Sequence, residues 1–566
     1  MYSDGLVFRQ TKQGAQGIQP FFPDGFVAHD GKKQTGWIEM LLRKTRKVGS
    51  NMRHYNKVQL TAMVLAWLLA GGAYSCSMAE AAGEETIIVD STPEHPKPDP
   101  SGAQAERPSD NTKWVTDGYG SSKGGISLDN GYDVLNVTLK DTSWWTELYA
   151  FKDEGVGNVE NYSIKLTTGT GAAIRYLYGG YSSDGKVSNN HVTWSADGGD
   201  INDGGYYGAT YGGYSETNEA SFNDVRVESY GTGTRETTSH RIYGGYSKFG
   251  SAESNYVKID NKQLLNDTEI VGGYAAGSAW GSDPYGNANK NVVEVYEAGK
   301  IGELYGGYAC AGDASHNKVS IYGENVGWSF PLSRVMGGYA YGGDYYNKKG
   351  SADDNEVWIH GGRMRNVYGG YGSSYGTANR NLVNITGGTI LEGVHGGFSY
   401  NYNTEGGFVS VEGNTVNISN ATIGEYGTGR NVWGGEGSGH VKRNIVNFVS
   451  GSAGTIYGGV ASYDASENVV TFSGGTVDGI YGGKAGSIAS ENKLYIFKKE
   501  AGDVLATGDT AEFYAGYSSG ASALNNEVIL GANVDEDGKT VVYPHAVDLS
   551  KVTLHGGAAF GSGTAS

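Results

Sequence analysis

The sequence predicts an all-β protein, a parallel β-solenoid built from Gly-Gly/Asn-x-Val repeats of about 24–41 residues. Three observations carry this. First, a Gly-Gly pair or its near match begins at 179, 212, 244, 272, 306, 337, 369, 396, 434, 458, 482, 515 (here Ala515-Gly516) and 556. Second, the residue before the pair is mostly aromatic, as at Tyr178, Tyr211, Tyr243, Tyr305, Tyr368, Trp433, Tyr457, Tyr481 and Tyr514. Third, an asparagine with Val or Leu two residues on recurs at Asn190, Asn223, Asn255, Asn291, Asn317, Asn355, Asn381, Asn414, Asn444, Asn468, Asn492 and Asn526. In nine of these twelve the asparagine lies 9 to 11 residues after the second glycine.

Composition agrees with this class. Gly accounts for 93 of 566 residues and Tyr for 41, while charged residues are only 18 %. Net charge is −18, and beyond residue 81 there are 33 Lys+Arg against 56 Asp+Glu. Such a surface repels phosphate backbones, so nucleic acid is not an expected partner. Of the two cysteines, Cys76 lies in the expected export segment and Cys310 has no partner, which leaves no disulfide framework and reads Cys310 as a buried structural thiol.

Taken in order, residues 1–51 form a leader or an upstream translated segment ending in the basic run Arg43-Lys44-Thr45-Arg46-Lys47. Residues 52–82 have the parts of a secretory signal peptide: Arg53, His54 and Lys57, an apolar run from Leu60 to Ala70, and a small-residue cleavage site near Ala81. The strictly apolar core is about ten residues, short of the roughly 20 that span a bilayer as a helix. Translation from Met52, an extended leader and a retained signal anchor all stay open, and Tyr74 makes Ala-Tyr-Ser-Cys76 a poor lipoprotein box. Residues 83–113 read as a Pro-rich, extended linker with half of the chain's prolines. Residues 114–175 read as a β cap that does not match the repeat, and 176–566 as the repeats, cut off in mid-repeat.

Within a unit such as Glu467 to Gly483, period-two alternation puts Asn468, Val470 and Phe472 on one face. Two further short segments, Thr476 to Ile480 and then Tyr481, complete three strands per turn with glycines at the corners. The glycines suit positive φ or close backbone approach. The asparagine suits a corner, and its amide can bond to its copies above and below. The expected structural ladder is Asn190, Asn223, Asn255, Asn317, Asn355, Asn381, Asn444, Asn468, Asn492 and Asn526, with Asn291 and Asn414 at the same position. One turn per unit at about 4.8 Å gives a rod roughly 60 Å long.

Leader, signal segment, Pro-rich linker and Gly/Asn-punctuated repeats together resemble the passenger region of a Gram-negative autotransporter, over roughly residues 52–566. The resemblance implies a right-handed β-helix exported to the cell surface or outer membrane, or secreted, and often an adhesin. The family ends in a membrane β-barrel that this sequence does not supply, so the expectation is a chain truncated before its translocator barrel, with membrane contact only through the signal segment or that missing barrel.

Chemistry is sparse. Asp353-Asp354 could serve acid/base work or hold a hard cation, but a solvated loop explains them as well. Glu467 and Glu491 precede their asparagines at equivalent positions, which reads as repetition on a face. Histidine spacing suits no zinc site, no phosphate loop or esterase elbow occurs, and Gly198-Gly199-Asp200 is only a fragment of a calcium nonapeptide. No cofactor is called for and no enzyme is expected. Aromatics three residues after the first pre-glycine position, Tyr181, Tyr214, Tyr246, Tyr308 and Tyr371, with Tyr274, Tyr339 and Phe398, are either an exposed column that stacks on sugars or meets a partner, or an internal corner stack. The expected role is adhesin-like binding of a surface glycan or protein. A carbohydrate-active β-helix enzyme and a structural stalk are the alternatives, and specificity is assigned to the loops near 274–290, 339–354 and 398–413.

Overall fold

The computed structural model describes 84–89, 112–114, 125–126 and then 134–565, apart from 140–143, 156, 170–171, 202–207, 230–234, 278–285, 311, 328–329, 342–349, 374–375, 401–408, 425–429, 535–538 and 562–563. The leader, the signal segment with its site near Ala81, the prolines of the linker and the middles of the three stretched loops lie outside the described residues.

The protein is an all-β parallel solenoid. Among the described residues thirty-three strands join in one sheet system, and consecutive turns pair parallel and in register, as in Val446↔Val470↔Leu494 and Phe448↔Phe472↔Ile496. No helix occurs among the described residues. Alternation builds the core: Val470, Phe472, Val477 and Ile480 are buried in one turn, and with buried apolar residues of the other turns they form one continuous column.

Each turn has the same course. The asparagine opens a four-residue strand such as Val469–Phe472, and a glycine corner follows. A longer strand, Gly475–Ala485, then bends at Gly482-Gly483. A further strand stands where a polar loop was expected, in Ser410–Glu412, His440–Lys442, Asp464–Ser466, Ile488–Ser490 and Ser522–Leu524. It forms because small or β-branched residues (Val411, Val441, Ala465, Ala489) alternate with polar ones and pack inward. The count is therefore four strand segments per turn in this half, not three.

The stack also begins before residue 176. Val134–Leu139 pairs with Ser163–Thr168, and Trp144–Asp153 with Ala173–Ser182. Glu84–Val89, at the start of the expected linker, pairs with Val134–Leu139, because its β-branched run precedes the first proline. The first turns escape the repeat pattern through one exchange. Tyr149-Ala150-Phe151 aligns with Tyr178-Gly179-Gly180, and Phe151 stacks on Tyr162 at 4.4 Å, where later turns set glycine against asparagine.

The asparagines run through the interior as an unbroken ladder. From Asn190 to Asn526 each Nδ2 donates to the Oδ1 of the asparagine one turn on, at 2.9–3.1 Å. The same Oδ1 accepts the backbone N–H of the preceding asparagine, at 2.9–3.1 Å. In most turns the second amide hydrogen goes to a carbonyl such as Val441 O (from Asn468) or Ala465 O (from Asn492). These amides are buried, and in most turns both amide hydrogens are bonded.

The glycine pair owes its place to close approach rather than to positive φ. A Cβ at Gly337 would meet Gly369 O at 2.4 Å, and one at Gly338 would meet Asn355 Nδ2 at 2.6 Å. The left-handed corner lies elsewhere, at the residue just before each ladder asparagine. Eleven side chains of many types, from Asn189 to Asn525, sit there at φ 54–60°, and Gly413 at 69°.

Two outcomes follow. Asn355→Ala strands the amides of Asn317 and Asn381 in the interior and should cost about 3 kcal/mol, seen as a lower urea midpoint. Phe222 is exposed and held at φ 60°. Phe222→Asn relieves that strain and should stabilise by about 1 kcal/mol, in the same assay.

Candidate functional site

The most distinctive surface lies on the outside of the Gly-Gly bend. The residue two positions before the first glycine, such as Leu177, Ile242 or Leu304, points into the core, so the next residue points out. Both glycines of the pair then face inward toward the asparagine and its valine, as the contacts of Gly244 and Gly245 with Asn255 and Val257 show. The residue after the pair turns outward again. Two aromatic columns therefore flank the bend on one outer face.

The inner column stacks Tyr149, Tyr178, Tyr211 and Tyr243 at 4.6, 4.9 and 5.2 Å. Farther along, Tyr368, His395 and Trp433 stack at 4.7 and 4.2 Å. The second column stacks Tyr181, Tyr214, Tyr246, Tyr274 and Tyr308 at 5.2, 4.9, 5.2 and 4.6 Å, with planes within 20°. Tyr339 and Tyr371 continue it edge-on and tilted rings lead to Phe398. The columns meet in T-shaped pairs, for example Tyr211–Tyr214 at 5.1 Å and Tyr243–Tyr246 at 5.4 Å.

Neither reading of the tyrosines describes this arrangement fully. The columns lie outside the apolar core, yet the inner rings are buried by their neighbours and Tyr181, Tyr214, Tyr246, Tyr308 and Tyr371 are half-buried. Tyr214, Tyr246 and Tyr274 have a ring against each face, so a sugar cannot stack on them. What they present is an edge bearing a hydroxyl.

Charged groups missed in the sequence complete the face. Tyr149 donates to Glu147 (2.6 Å), Tyr243 to Glu269 (2.5 Å), Tyr514 to Glu512 (2.5 Å), Tyr305 to Glu303, and Tyr181 to Glu216 (3.1 Å). Glu147, Glu303 and Glu512 stand two residues before their tyrosines, and Glu269 two before Val271, the same alternation that located the core. Lys152 Nζ lies 5.0 Å from the Tyr149 ring and 5.4 Å from Tyr181, and Lys484 Nζ is 5.4 Å from Tyr481. At the first of these ends, Tyr149, Lys152, Tyr181 and Glu216 line an open depression of about 280 Å³.

Burial pushes the Glu269 carboxyl up, opposed by the Tyr243 hydroxyl and the Arg241 guanidinium. Burial likewise pushes the phenols of Tyr178, Tyr211 and Tyr243 far up, and those of Tyr181 and Tyr246 to about 12. The half-buried Cys310 thiol is pushed up to about 11 by burial, and hydrogen bonds with Tyr274 and Tyr308 oppose the shift. It belongs to the outer tyrosine face rather than to the core.

The other candidates have structural partners. Asp353 accepts Asn379 N–H (2.7 Å) and the Thr377 hydroxyl (3.0 Å), and Asp354 pairs with Arg380 at 2.7 and 2.8 Å. Glu467 and Glu491 occupy the left-handed corner. Asp200 accepts the Thr238 hydroxyl. Among the described residues no cluster of three or more His, Cys, Asp or Glu could hold a metal ion, and no helix is long and apolar enough to cross a membrane. No family model, curated protein or solved structure matches the chain.

The phenol shifts fix a pH dependence. The unfolded chain ionises its tyrosines near 10.0, whereas the folded face keeps Tyr181, Tyr246, Tyr368 and Tyr481 protonated to about 12. Their contribution is fully present below pH 10 and is lost as pH rises toward 12. Tyrosinate absorbance should therefore lag free tyrosine and then rise together with loss of the β-sheet circular dichroism signal. Gradual ionisation of a folded protein would contradict this.

Proposed function

We propose that this chain is an exported β-solenoid of the autotransporter-passenger type, displayed at a cell surface or released from it, that acts as an adhesin-like binding rod. The observation that carries the reading is the outer face of stacked tyrosine edges, continued turn after turn and bordered by carboxylates and lysines. Its hydroxyls repeat at the spacing of the turns, so an elongated partner can meet many weak contacts at once, and their sum gives avidity. The partner is a surface glycan or protein met edge-on by hydrogen bonds rather than by stacking on ring faces.

A binding role also suits how the acids are used. Glu147, Glu269, Glu303 and Glu512 accept phenol hydrogen bonds. Glu269 and Glu303 are neighbours on consecutive turns, and each is engaged by a phenol. The asparagine ladder recurs without a break from Asn190 to Asn526, and the glycine pairs or their near match recur with it, as a scaffold needs and a single catalytic centre does not.

The test is adhesion of the chain from residue 114 onward to glycan arrays and to cell surfaces. Tyr181→Phe, Tyr214→Phe and Tyr246→Phe together keep the rings and remove the hydroxyls, and should lower bound protein severalfold with an unchanged circular dichroism spectrum. Full binding by this triple variant would overturn the edge-on reading.

A further inference from the structure

We infer that the outer tyrosine face is a site of one-electron oxidation, at which neighbouring turns become joined by dityrosine bonds within one chain. Four rings in succession from Tyr181 to Tyr274, and on to Tyr308, lie with nearly parallel planes at 4.6–5.2 Å. Because consecutive turns pair in register (Tyr181↔Tyr214↔Tyr246↔Tyr274↔Tyr308), the carbon ortho to each hydroxyl is repeated one turn on. Radical coupling needs that juxtaposition.

The face also supplies what oxidation of a phenol requires. A phenol that loses an electron becomes a strong acid, and its proton needs an acceptor already in place. Tyr181 donates to Glu216 at 3.1 Å, Tyr149 to Glu147 at 2.6 Å and Tyr243 to Glu269 at 2.5 Å. The second column is half-buried and reachable by an external oxidant, while the inner column lies against it in T-shaped contact. The Cys310 thiol joins the array through its bonds to Tyr274 and Tyr308. It can give a hydrogen atom to a phenoxyl radical there and compete with coupling.

The balance is complete with a peroxide oxidant acting through a haem peroxidase. Two phenols each lose one electron and one proton. The phenoxyl radicals form a carbon–carbon bond at their ortho positions, and each ring then passes its ortho hydrogen to its own oxygen, restoring two phenols. The two electrons and two protons reduce one hydrogen peroxide to two waters. The product is the chain less two hydrogen atoms per bond, with turns about thirty residues apart in sequence tied covalently (Tyr181 and Tyr214 are 33 apart, Tyr246 and Tyr274 are 28).

The experiment treats the full chain with peroxidase and hydrogen peroxide, reads dityrosine fluorescence and maps cross-linked peptides by mass spectrometry. Expected are intrachain bonds Tyr181–Tyr214, Tyr214–Tyr246 and Tyr246–Tyr274, at a yield per chain that does not change on dilution. Tyr214→Phe with Tyr246→Phe should abolish these three peptides and lower total dityrosine severalfold, and Cys310→Ser should raise coupling at Tyr274–Tyr308. Yield that falls on dilution, equal yield from urea-unfolded chain, or cross-links confined to exposed tyrosines such as Tyr400 and Tyr463 would overturn the inference; the first two need only wild-type protein.

Discussion

The structure depends on the in-register asparagine ladder. Each amide has two hydrogens and an oxygen that accepts twice, and the stack uses both sides: amide hydrogen to the next Oδ1, oxygen from the previous amide and the previous backbone N–H. A single buried amide would be a liability, because an unmet donor or acceptor costs its desolvation. A column of them removes that cost at every rung except at its ends. It also fixes the register, since a slip by one residue would exchange Asn468 for Glu467 or Val469 inside. The apolar column of Val446, Val470 and Leu494 supplies most of the burial, but it would tolerate neighbouring hydrophobic alternatives, whereas the amide spacing does not.

The glycine pair follows from the ladder. Interior space beside Asn355 is so filled that a Cβ on Gly338 would lie 2.0 Å from Ala314 O, and one on Gly337 would strike the carbonyl of its own copy one turn on. Absence of a side chain is the requirement, and φ there stays ordinary. At the near match Ala515 the same relation holds to the preceding turn, since a Cβ on Gly482 would meet Ala515 O at 2.4 Å. Where the first turn lacks the ladder it also lacks the glycines, and the Phe151–Tyr162 stack fills the same volume. Asparagine and glycine pair are thus one steric unit written at two places in the sequence.

This explains what could be read in advance. Parallel solenoid, ladder residues and inward alternation were legible because each requires one residue type at one spacing. The left-handed corner was not legible: Phe222, Lys290, His316, Arg380 and Glu491 share a φ and nothing else. Their conformation is imposed by the strands on either side, so it selects no side chain. The extra strand before the asparagine was hidden for a similar reason, since Ala465 and Ala489 are too small to announce an inward face. Of the outer face, the aromatic positions were visible but their orientation was not, because period-two counting fails across a bend where two successive residues both point inward. The acid partners escaped notice because Glu147, Glu303 and Glu512 gain meaning only once their tyrosines are known to point outward.

The same bend links interior and exterior. By admitting two consecutive inward residues, the glycine pair sets its aromatic neighbours on the same outer side, three positions apart, with rings close enough for T-shaped contact. The turn spacing that lets amides bond at 2.9–3.1 Å inside is then imposed on the rings outside, at 4.6–5.2 Å along the second column. That spacing suits parallel stacking, so the rings cover one another's faces and only their half-buried edges stay accessible. Two consequences compete on this surface: stacking stabilises the rod, and it removes the ring faces from recognition. The hydroxyls, the carboxylates beside them, Lys152 and Lys484, and arginines such as Arg241 and Arg334 remain to distinguish one partner from another. Any chemistry the face performs therefore acts through the phenol oxygens, whose protons the buried setting holds in place.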